Sequence, residues 1–252
     1  MDIPNHVAKR AAKLKFNSRL PFSANLPYQG LFAERLPLIH AFTLALHHAA
    51  LARRKQSLYR KARAWLAGDD FAFHAAECGV YMGNSLVACA QMLRASGLKG
   101  RFHALDTFSG LPDLSEADLR LAPENAQYRG QKLFADTSFE AVKARVAEAG
   151  ISDSVVFHKG LFADTLPHLP AVQYHFVNID CDLFEPHIEC LDYFYPRMAR
   201  GGVIFFDDYG SREFPMARAA VDQFMLDKPQ LLFHLRTGND GPNRTKTYIV
   251  KY

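Results

Sequence analysis

Three carboxylate side chains follow two apolar stretches in the second half of the chain. Asp180 ends the stretch that begins near Val172, and Asp207 and Asp208 end the stretch that leads to Tyr209. Each stretch is typical of a buried strand, with an amphipathic helix between them, and ligands of parallel sheets bind beyond the carboxyl ends of such strands. Three negative charges in a small volume are costly without a cation, so the pattern predicts a site for a divalent ion such as Mg²⁺. Solvated caps after each strand are the alternative interpretation, which explains one Asp per strand but not the adjacent pair.

A glycine-containing turn, ECGVYMGNS at residues 77–85, lies where the first predicted strand passes into a helix. Glycines let the backbone approach a ligand closely, and the start of a helix offers unpaired N–H groups. The spacing E-x-G-x-x-x-G differs from the GxGxxG of dinucleotide folds, and its leading acid suits a cationic ligand such as S-adenosylmethionine. The candidate cofactor-binding residues of this turn are Glu77, Gly79, Tyr81, Gly83, Asn84 and Ser85.

Asp106 ends the second predicted strand, 27 residues after Gly79. An acid at this position can accept hydrogen bonds from both hydroxyls of a ribose, although an Asp that only caps the loop is the alternative. Thr107 follows directly. Phe108 and Phe162, each just past a strand end, are candidates to flank an adenine ring, and plain packing is the alternative for both.

The elements that must position these residues alternate between strand and helix. Strands are predicted at 71–78, 101–106, 154–160, before Asp180, before Asp207, and at 231–236 and 245–250. The last two are joined by a turn-rich segment and are predicted to form an antiparallel hairpin. The resulting fold class is α/β, a Rossmann-like doubly wound seven-stranded sheet with an antiparallel terminal hairpin and an N-terminal helical extension. A long irregular stretch is expected after the second strand.

The cysteine content and the apolar segments of the chain indicate where in the cell the protein works. The chain has 252 residues, and its four cysteines lack the CxxC spacing of a zinc site, so we expect them to be small buried residues in a reducing compartment. No segment has the apolar length of a membrane span or of a secretory signal, which predicts a cytoplasmic protein.

Residues 1–65 contain twelve Lys or Arg against two acids. We predict that residues 1–67 form a helical arm or lid and that 68–252 form the sheet domain, with Pro37 in the first turn of a helix. The arm is a candidate contact for a homo-oligomer, for an anionic partner or for the acidic body itself.

The segments DTFSGLPD (106–113), GLFADTLP (160–167), DCDLFE (180–185) and GGVIFFDDYG (201–210) resemble the macrocin O-methyltransferase family, whose members methylate sugar hydroxyls in macrolide biosynthesis. The similarity runs in order from Glu77 to Phe224. It implies a class I S-adenosylmethionine-dependent fold in which residues 77–85 form the cofactor turn. By the same resemblance Asp106 is the ribose ligand, and Asp180, Asp207 and Asp208 are the Mg²⁺ ligands. Cys181, Pro186 and His187 depart from the family pattern.

The expected reaction is Mg²⁺-dependent transfer of a methyl group from S-adenosylmethionine to a hydroxyl of a small molecule, most simply a sugar of a natural product. The ion would lower the pKa of the hydroxyl, and a nearby base would take its proton. Leu183 stands where catechol methyltransferases, a related group, carry a lysine. The candidate bases are Asp180, which we favour, and Asp182 or His187; a helix-surface histidine is the simpler interpretation of the last.

Other functions remain as alternatives at this point. A phenol or catechol acceptor is open, because the segments that would shape the acceptor pocket show no match to the family. A nucleic-acid methyltransferase would use the basic arm, but DCDLF replaces the [DN]PP[YF] signature of amino-methylating enzymes after the fourth strand. An NAD-dependent oxidoreductase would need GxGxxG, and a non-enzymatic cofactor-binding module would have no need of three metal-binding carboxylates.

Overall fold

The computed structural model describes residues 32–54, 71–236 and 245–252. The predicted irregular segment 1–30, the predicted helix beyond Arg54 and the turn of the terminal hairpin lie outside the described residues. None of the helices in the described ranges is long and apolar enough to cross a membrane.

Seven strands form one sheet in the order β3-β2-β1-β4-β5-β7-β6. They are β1 Phe73–Cys78, β2 Gly100–Asp106, β3 Val155–Lys159, β4 Tyr174–Ile179, β5 Met198–Phe206, β6 Phe233–Arg236 and β7 Thr245–Val250. The strands from β1 to β5 pair in parallel, whereas β7 runs antiparallel to both β5 and β6. The predicted doubly wound sheet and its terminal hairpin are confirmed.

Helices cover both faces of this sheet. They are α1 Phe32–Arg54, α2 Asn84–Ala95, α3 Glu116–Leu121, α4 Phe139–Glu148, α5 Phe162–Thr165, α6 Phe184–Phe194 and α7 Pro215–Met225. One core lies between the sheet and α1, α2 and α4, and a second lies between the opposite face and α6 and α7. Strand side chains alternate between the two faces, which is why both faces of this sheet are apolar.

Helix α1 is part of the first core. Phe42 is fully buried, and its ring meets that of Phe176 edge to face at 4.8 Å. The helix Phe32–Arg54 therefore packs on the sheet, whereas residues 55–67 of the predicted arm or lid lie outside the described residues. Pro37 lies inside α1 and not in its first turn. It removes one backbone donor near the start of a helix that tertiary packing stabilises.

The stretch after β2 is less irregular than the sequence indicated. Ser115 caps α3, since its hydroxyl accepts the Asp118 N–H at 3.1 Å and Asp118 in return accepts the Ser115 N–H at 2.9 Å. This reciprocal capping box has a sequence signature, Ser-x-x-acid, that could have revealed the helix. A 3₁₀ turn, Pro123–Tyr128, follows α3.

Candidate active site

The three predicted metal ligands meet beyond the carboxyl ends of β4 and β5. The parallel register pairs Ile179 with Phe206, so the residues that follow in each strand emerge side by side. One ligand oxygen from each of Asp180, Asp207 and Asp208 lies within 4.8 Å of the others. The backbone supports this arrangement, because the Asp207 N–H donates to the Ile179 carbonyl at 3.1 Å. The convergence that the sequence predicted is present.

Burial and mutual repulsion make this cluster electrostatically costly. Burial, and then the carboxylates of Asp207 and Asp208, raise the pKa of Asp180 well above its usual range. Burial, and then Asp207, raise the pKa of Asp208 to about 6. Carboxylates held together in this way are stabilised by a bound cation, and three oxygen ligands suit a hard divalent ion. The donor set therefore suits the Mg²⁺ that the resemblance implies.

A buried lysine reaches the same cluster, and the sequence analysis missed it. The Lys246 ammonium donates to Oδ2 of Asp207 from β7, on the far side of β5. Burial by itself would lower the pKa of Lys246, but Asp207, Asp180 and Asp208 raise it, so the side chain is held as an ammonium. Its signal was a single charged residue in the otherwise apolar or hydroxyl-bearing strand TKTYIV.

Gly79 allows β1 and β4 to end in contact with each other. It has φ of +89°, and a Cβ atom built there would overlap the carbonyl oxygen of Asp180. The Asp180 N–H also donates to the Cys78 carbonyl at 2.8 Å. The cofactor turn and the acid cluster are therefore joined through the backbone, and only a residue without a side chain fits between them.

Asp106 organises the glycine turn from the end of β2. Its Oδ2 accepts the N–H groups of Val80 at 2.6 Å and Tyr81 at 2.9 Å, and its Oδ1 accepts the N–H of Phe108 at 2.6 Å. These three bonds hold the turn in shape without any ligand. Asp106 also lines the cavity described below, where a ribose is predicted to bind.

Glu77 is buried beneath the glycine turn. Its side chain is 2% exposed, and its Oε1 accepts from Nδ2 of Asn178 on the neighbouring strand at 2.9 Å. Burial raises the pKa of Glu77 to about 8. The carboxyl group therefore lies in the core below the turn and is not among the described residues that line the cavity, and its contact with the cofactor stays a prediction.

The other residues predicted for the cofactor site fall into two groups. Tyr81, Thr107 and Phe162 line the cavity. Phe108 is buried and packs its ring against Phe139 at 5.3 Å and against Phe157 at 6.0 Å, which favours the packing interpretation of this residue.

The start of α2 contributes residues that lie behind the cavity wall. Gly83 adopts φ of +77° just before the helix. The Asn84 side chain accepts a hydrogen bond from Arg145, and Ser85 is half-buried in the first turn. Neither of these side chains is among the cavity-lining residues of the described ranges.

Two of the candidate bases have contrasting environments. His187 is fully buried, its Nδ1 pairs with the Leu183 carbonyl at 2.8 Å, and burial lowers its pKa to about 4. It is neither a surface histidine nor a side chain that lines the cavity. Asp182 does line the cavity, with φ of +59°, and its N–H donates to Oδ2 of Asp208 at 3.1 Å.

A cavity of about 690 Å³ joins the glycine turn to the acid cluster. Its walls include Gly79, Asp106, Asp180 and Asp208. A volume of this size is within the range of ligand sites in proteins. The arrangement can hold a ligand on the turn and a second ligand beside the carboxylates.

Asp118 is a cavity-lining residue that the sequence analysis did not single out. It is 1% exposed, and besides capping α3 it accepts the Phe184 N–H at the start of α6 through Oδ1 at 2.8 Å. Ser115 also donates to Oε2 of Glu185 at 2.6 Å. Helix α3 is thereby fixed as a wall of the cavity next to the cluster.

The chain is similar to known O-methyltransferases. A family model described as macrocin O-methyltransferase (TylF) matches residues 29–230. An 8-demethyl-8-(2,3-dimethoxy-alpha-L-rhamnosyl)-tetracenomycin-C 4'-O-methyltransferase of Streptomyces olivaceus is 31% identical over 135 residues, 53% of this chain and 51% of that protein. A demethyldecarbamoylnovobiocin O-methyltransferase of Streptomyces niveus is 31% identical over 150 residues, 59% of this chain and 56% of that protein. The chain thus spans little more than half the length of the curated relatives it matches.

Two solved structures have the same fold. The O-methyltransferase NovP aligns with a TM-score of 0.59 at 25% identity over 74% of each chain. The calicheamicin methyltransferase CalS11 aligns with a TM-score of 0.60 at 21% identity over 99% of this chain and 94% of that one. The seven-stranded sheet is therefore the class I methyltransferase fold. Since the family model spans residues 29–230, more than half of the sequence, the chain belongs to the macrocin O-methyltransferase family.

Proposed function

We propose that this protein transfers a methyl group from S-adenosylmethionine to a sugar hydroxyl of a glycosylated natural product, with Mg²⁺ held by the acid cluster. The observation that carries the proposal is the shared cavity, in which the glycine turn adjoins Asp180 and Asp208, two of the three convergent carboxylates. Family membership supports the methyl donor. The relatives named above support the acceptor class, since the first is named for a 4'-O-methylation on a rhamnosyl-bearing compound.

The donor would lie along the glycine turn. Gly79, Tyr81, Asp106, Thr107 and Phe162 line that part of the cavity and are the residues that would hold S-adenosylmethionine. The backbone at Gly79 can approach a ligand closely, because no side chain projects there. The reaction forms a carbon–oxygen bond to the acceptor, breaks the carbon–sulfur bond of the donor and releases the hydroxyl proton to a base.

The metal would lie between Asp180, Asp207 and Asp208. A divalent ion bound there supplies a Lewis acid that lowers the pKa of a nearby hydroxyl. The chain's own contribution is to hold the carboxylates together at two adjacent strand ends, since Asp180 and Asp207 are anchored through the backbone to Cys78 and Ile179.

The proton acceptor is Asp180 or Asp182. Asp180 was favoured from the sequence, and its carboxylate is also one of the three proposed metal ligands. Asp182 lines the same cavity but is outside the cluster of three, so its carboxylate is not one of the proposed metal ligands. The two roles are separable by experiment, because loss of a ligand weakens metal binding and loss of a base does not.

The acceptor side of the cavity is acidic, which supports a neutral or cationic acceptor. Six carboxylate side chains line the cavity beyond the cofactor site and the cluster, and no Lys or Arg is among its described lining residues. They are Asp113, Asp118, Asp182, Glu185, Glu189 and Glu213. A sugar nucleotide or a nucleic acid would bring phosphate charges next to these carboxylates, which is unfavourable.

The test is a methyl-transfer assay with labelled S-adenosylmethionine and Mg²⁺ over four acceptors: a neutral macrolide glycoside, an amino-sugar glycoside, a catechol and a nucleoside-diphosphate sugar. We expect turnover of at least one glycoside, its loss with a chelator, and recovery when Mg²⁺ is restored. Asp182→Asn is expected to keep Mn²⁺ and S-adenosylhomocysteine binding, and it loses turnover if Asp182 is the base and keeps turnover if Asp180 is; Asp180→Asn is expected to lose Mn²⁺ binding.

Each part of the proposal has its own contradicting result. Absence of S-adenosylhomocysteine binding in calorimetry would remove the methyl donor. Undiminished turnover in the chelator would remove the metal. Exclusive turnover of the catechol, or preference for the nucleoside-diphosphate sugar, would remove the proposed acceptor class.

A further inference from the structure

Lys246 faces the acid cluster because of the way β7 pairs with β5. The antiparallel register sets Thr247 opposite Phe206. Lys246 directly precedes Thr247 in β7 and Asp207 directly follows Phe206 at the end of β5, and the two side chains meet there. The position of the lysine is therefore built into the sheet, whose backbone bonds hold it there, and does not depend on a mobile loop.

The ion pair is shielded from water on the lysine side. The Lys246 side chain is 9% exposed and that of Asp207 is 26% exposed, and the ammonium donates to Oδ2 of Asp207. Among the ion pairs of the described residues, the other three lie at more exposed side chains and away from the cluster. A buried charge of this kind strongly affects any other charge placed nearby.

The lysine and the cavity approach the cluster from different sides. Asp180 and Asp208 line the cavity, whereas Asp207 is not among its described lining residues. A fully ionised cluster carries three negative charges, and the ammonium reduces this to two, which one divalent ion balances. An ion that uses the Asp207 carboxylate must share it with Lys246.

We propose that Lys246 is a built-in counter-ion of the cluster, which holds Asp207 when no ion is bound and competes with a divalent ion for its carboxylate. The proposal rests on the proposed metal site. Lys246 is a positioning residue, since it acts on the ion through Asp207 and does not line the cavity. It follows that metal affinity in this protein is set below the value that three free carboxylates would give.

The experiment measures Mn²⁺ binding by electron paramagnetic resonance and thermal unfolding with and without the ion. The variants are Lys246→Met, which keeps the apolar stem and removes the charge, and Lys246→Arg, which keeps the charge. Lys251→Met is the matched control, because Lys251 follows the same strand but its ammonium lies over the Tyr195 ring at 3.5 Å. Asp208→Asn, which removes one of the three proposed metal ligands, shows how far Mn²⁺ binding falls when a ligand is lost.

We expect Lys246→Met to bind Mn²⁺ at least about tenfold more tightly than the wild type, because removal of a nearby positive charge favours a cation. The metal-free form of Lys246→Met should unfold at a lower temperature than the metal-free wild type. Bound Mn²⁺ should remove this difference in unfolding temperature. Lys246→Arg and Lys251→Met should keep wild-type affinity. Disturbed packing alone would loosen the cluster and weaken Mn²⁺ binding, so it cannot account for tighter binding.

If Lys246→Met binds Mn²⁺ no more tightly than the wild type while Asp208→Asn binds it more weakly, the proposed role of the lysine is overturned and the proposed metal site is retained. Absence of Mn²⁺ binding in both the wild type and Lys246→Met would overturn the metal site and the competition together. Binding only by Lys246→Met would support a lysine that outcompetes the ion.

Discussion

Glu77 provides a test of how the buried layer beneath the glycine turn is held together. Glu77 and Asn178 are register partners on β1 and β4, and the Asn178 amide donates to Oε1 of Glu77 at 2.9 Å. Within the described residues, Oε2 of Glu77 and Oδ1 of Asn178 are both buried without a partner. A proton on Oε2 would let the carboxyl donate to the amide oxygen and satisfy both atoms at once. We therefore expect Glu77 to be protonated at neutral pH.

The pKa of Glu77 sets the size of the effect. Burial raises the pKa to about 8 from its ordinary value of 4.5, against the opposing hydrogen bond from Asn178 and the charge of Arg35, while Asp207 and Asp106 add to the increase. The folded state therefore keeps a proton that the unfolded chain has lost, so this stabilisation is fully present below about pH 4.5 and is lost as the pH rises through about 8. Between pH 6 and pH 9 the loss amounts to about 2.5 kcal/mol.

The perturbation is Glu77→Gln, whose amide can donate to Oδ1 of Asn178 at any pH. Urea unfolding of the wild type, Glu77→Gln and Glu148→Gln would be measured at pH 6, 7, 8 and 9. Glu148 is an exposed glutamate of α4 and serves as the control. The free energy of unfolding of the wild type should fall by about 2.5 kcal/mol relative to that of Glu77→Gln, while Glu148→Gln follows the wild type.

Other carboxylates titrate in all three proteins and cancel in the comparison. A difference between the wild type and Glu77→Gln that stays constant over this pH range would refute the protonated pair, whatever its absolute value. A constant difference is the result expected if Glu77 is ionised in the folded protein, because it is then ionised in both states throughout this range.

Two further predictions separate the site from the core. Gly79→Ala should lower stability and abolish S-adenosylhomocysteine binding in calorimetry, because the added methyl group overlaps the Asp180 carbonyl. Gly97→Ala, also at positive φ but with open space around it, should cost only about 1 kcal/mol of unfolding free energy and keep binding. Equal effects of the two substitutions would contradict the close approach at Gly79. Phe162→Ala should weaken S-adenosylhomocysteine binding by about tenfold with little loss of stability. Phe108→Ala should instead cost about 3–5 kcal/mol of unfolding free energy and keep the affinity for S-adenosylhomocysteine. The reversed result would show that the two rings are wrongly assigned.

Local patterns in the sequence were sufficient for the order of the elements and for the convergence of the acids. The run before Asp180 and the run before Asp207 could each be recognised as a strand from its apolar residues alone. Parallel pairing then required their ends to lie together, because strands joined by a crossover helix run in the same direction. The same reasoning located the turn at Gly79, since a glycine directly after a predicted strand marks a turn.

What only the tertiary structure decided is the environment of individual side chains. Sequence spacing could not show that β7 brings Lys246 to Asp207, because the pairing partner of an edge hairpin is not encoded locally. Nor could it show that Glu77 lies in the core or that His187 is fully buried, since burial depends on which elements cover each face of the sheet. The sequence by itself thus determined which chemical groups meet at the strand ends, and the fold decided which of them are charged, which are shielded from water and which line the cavity.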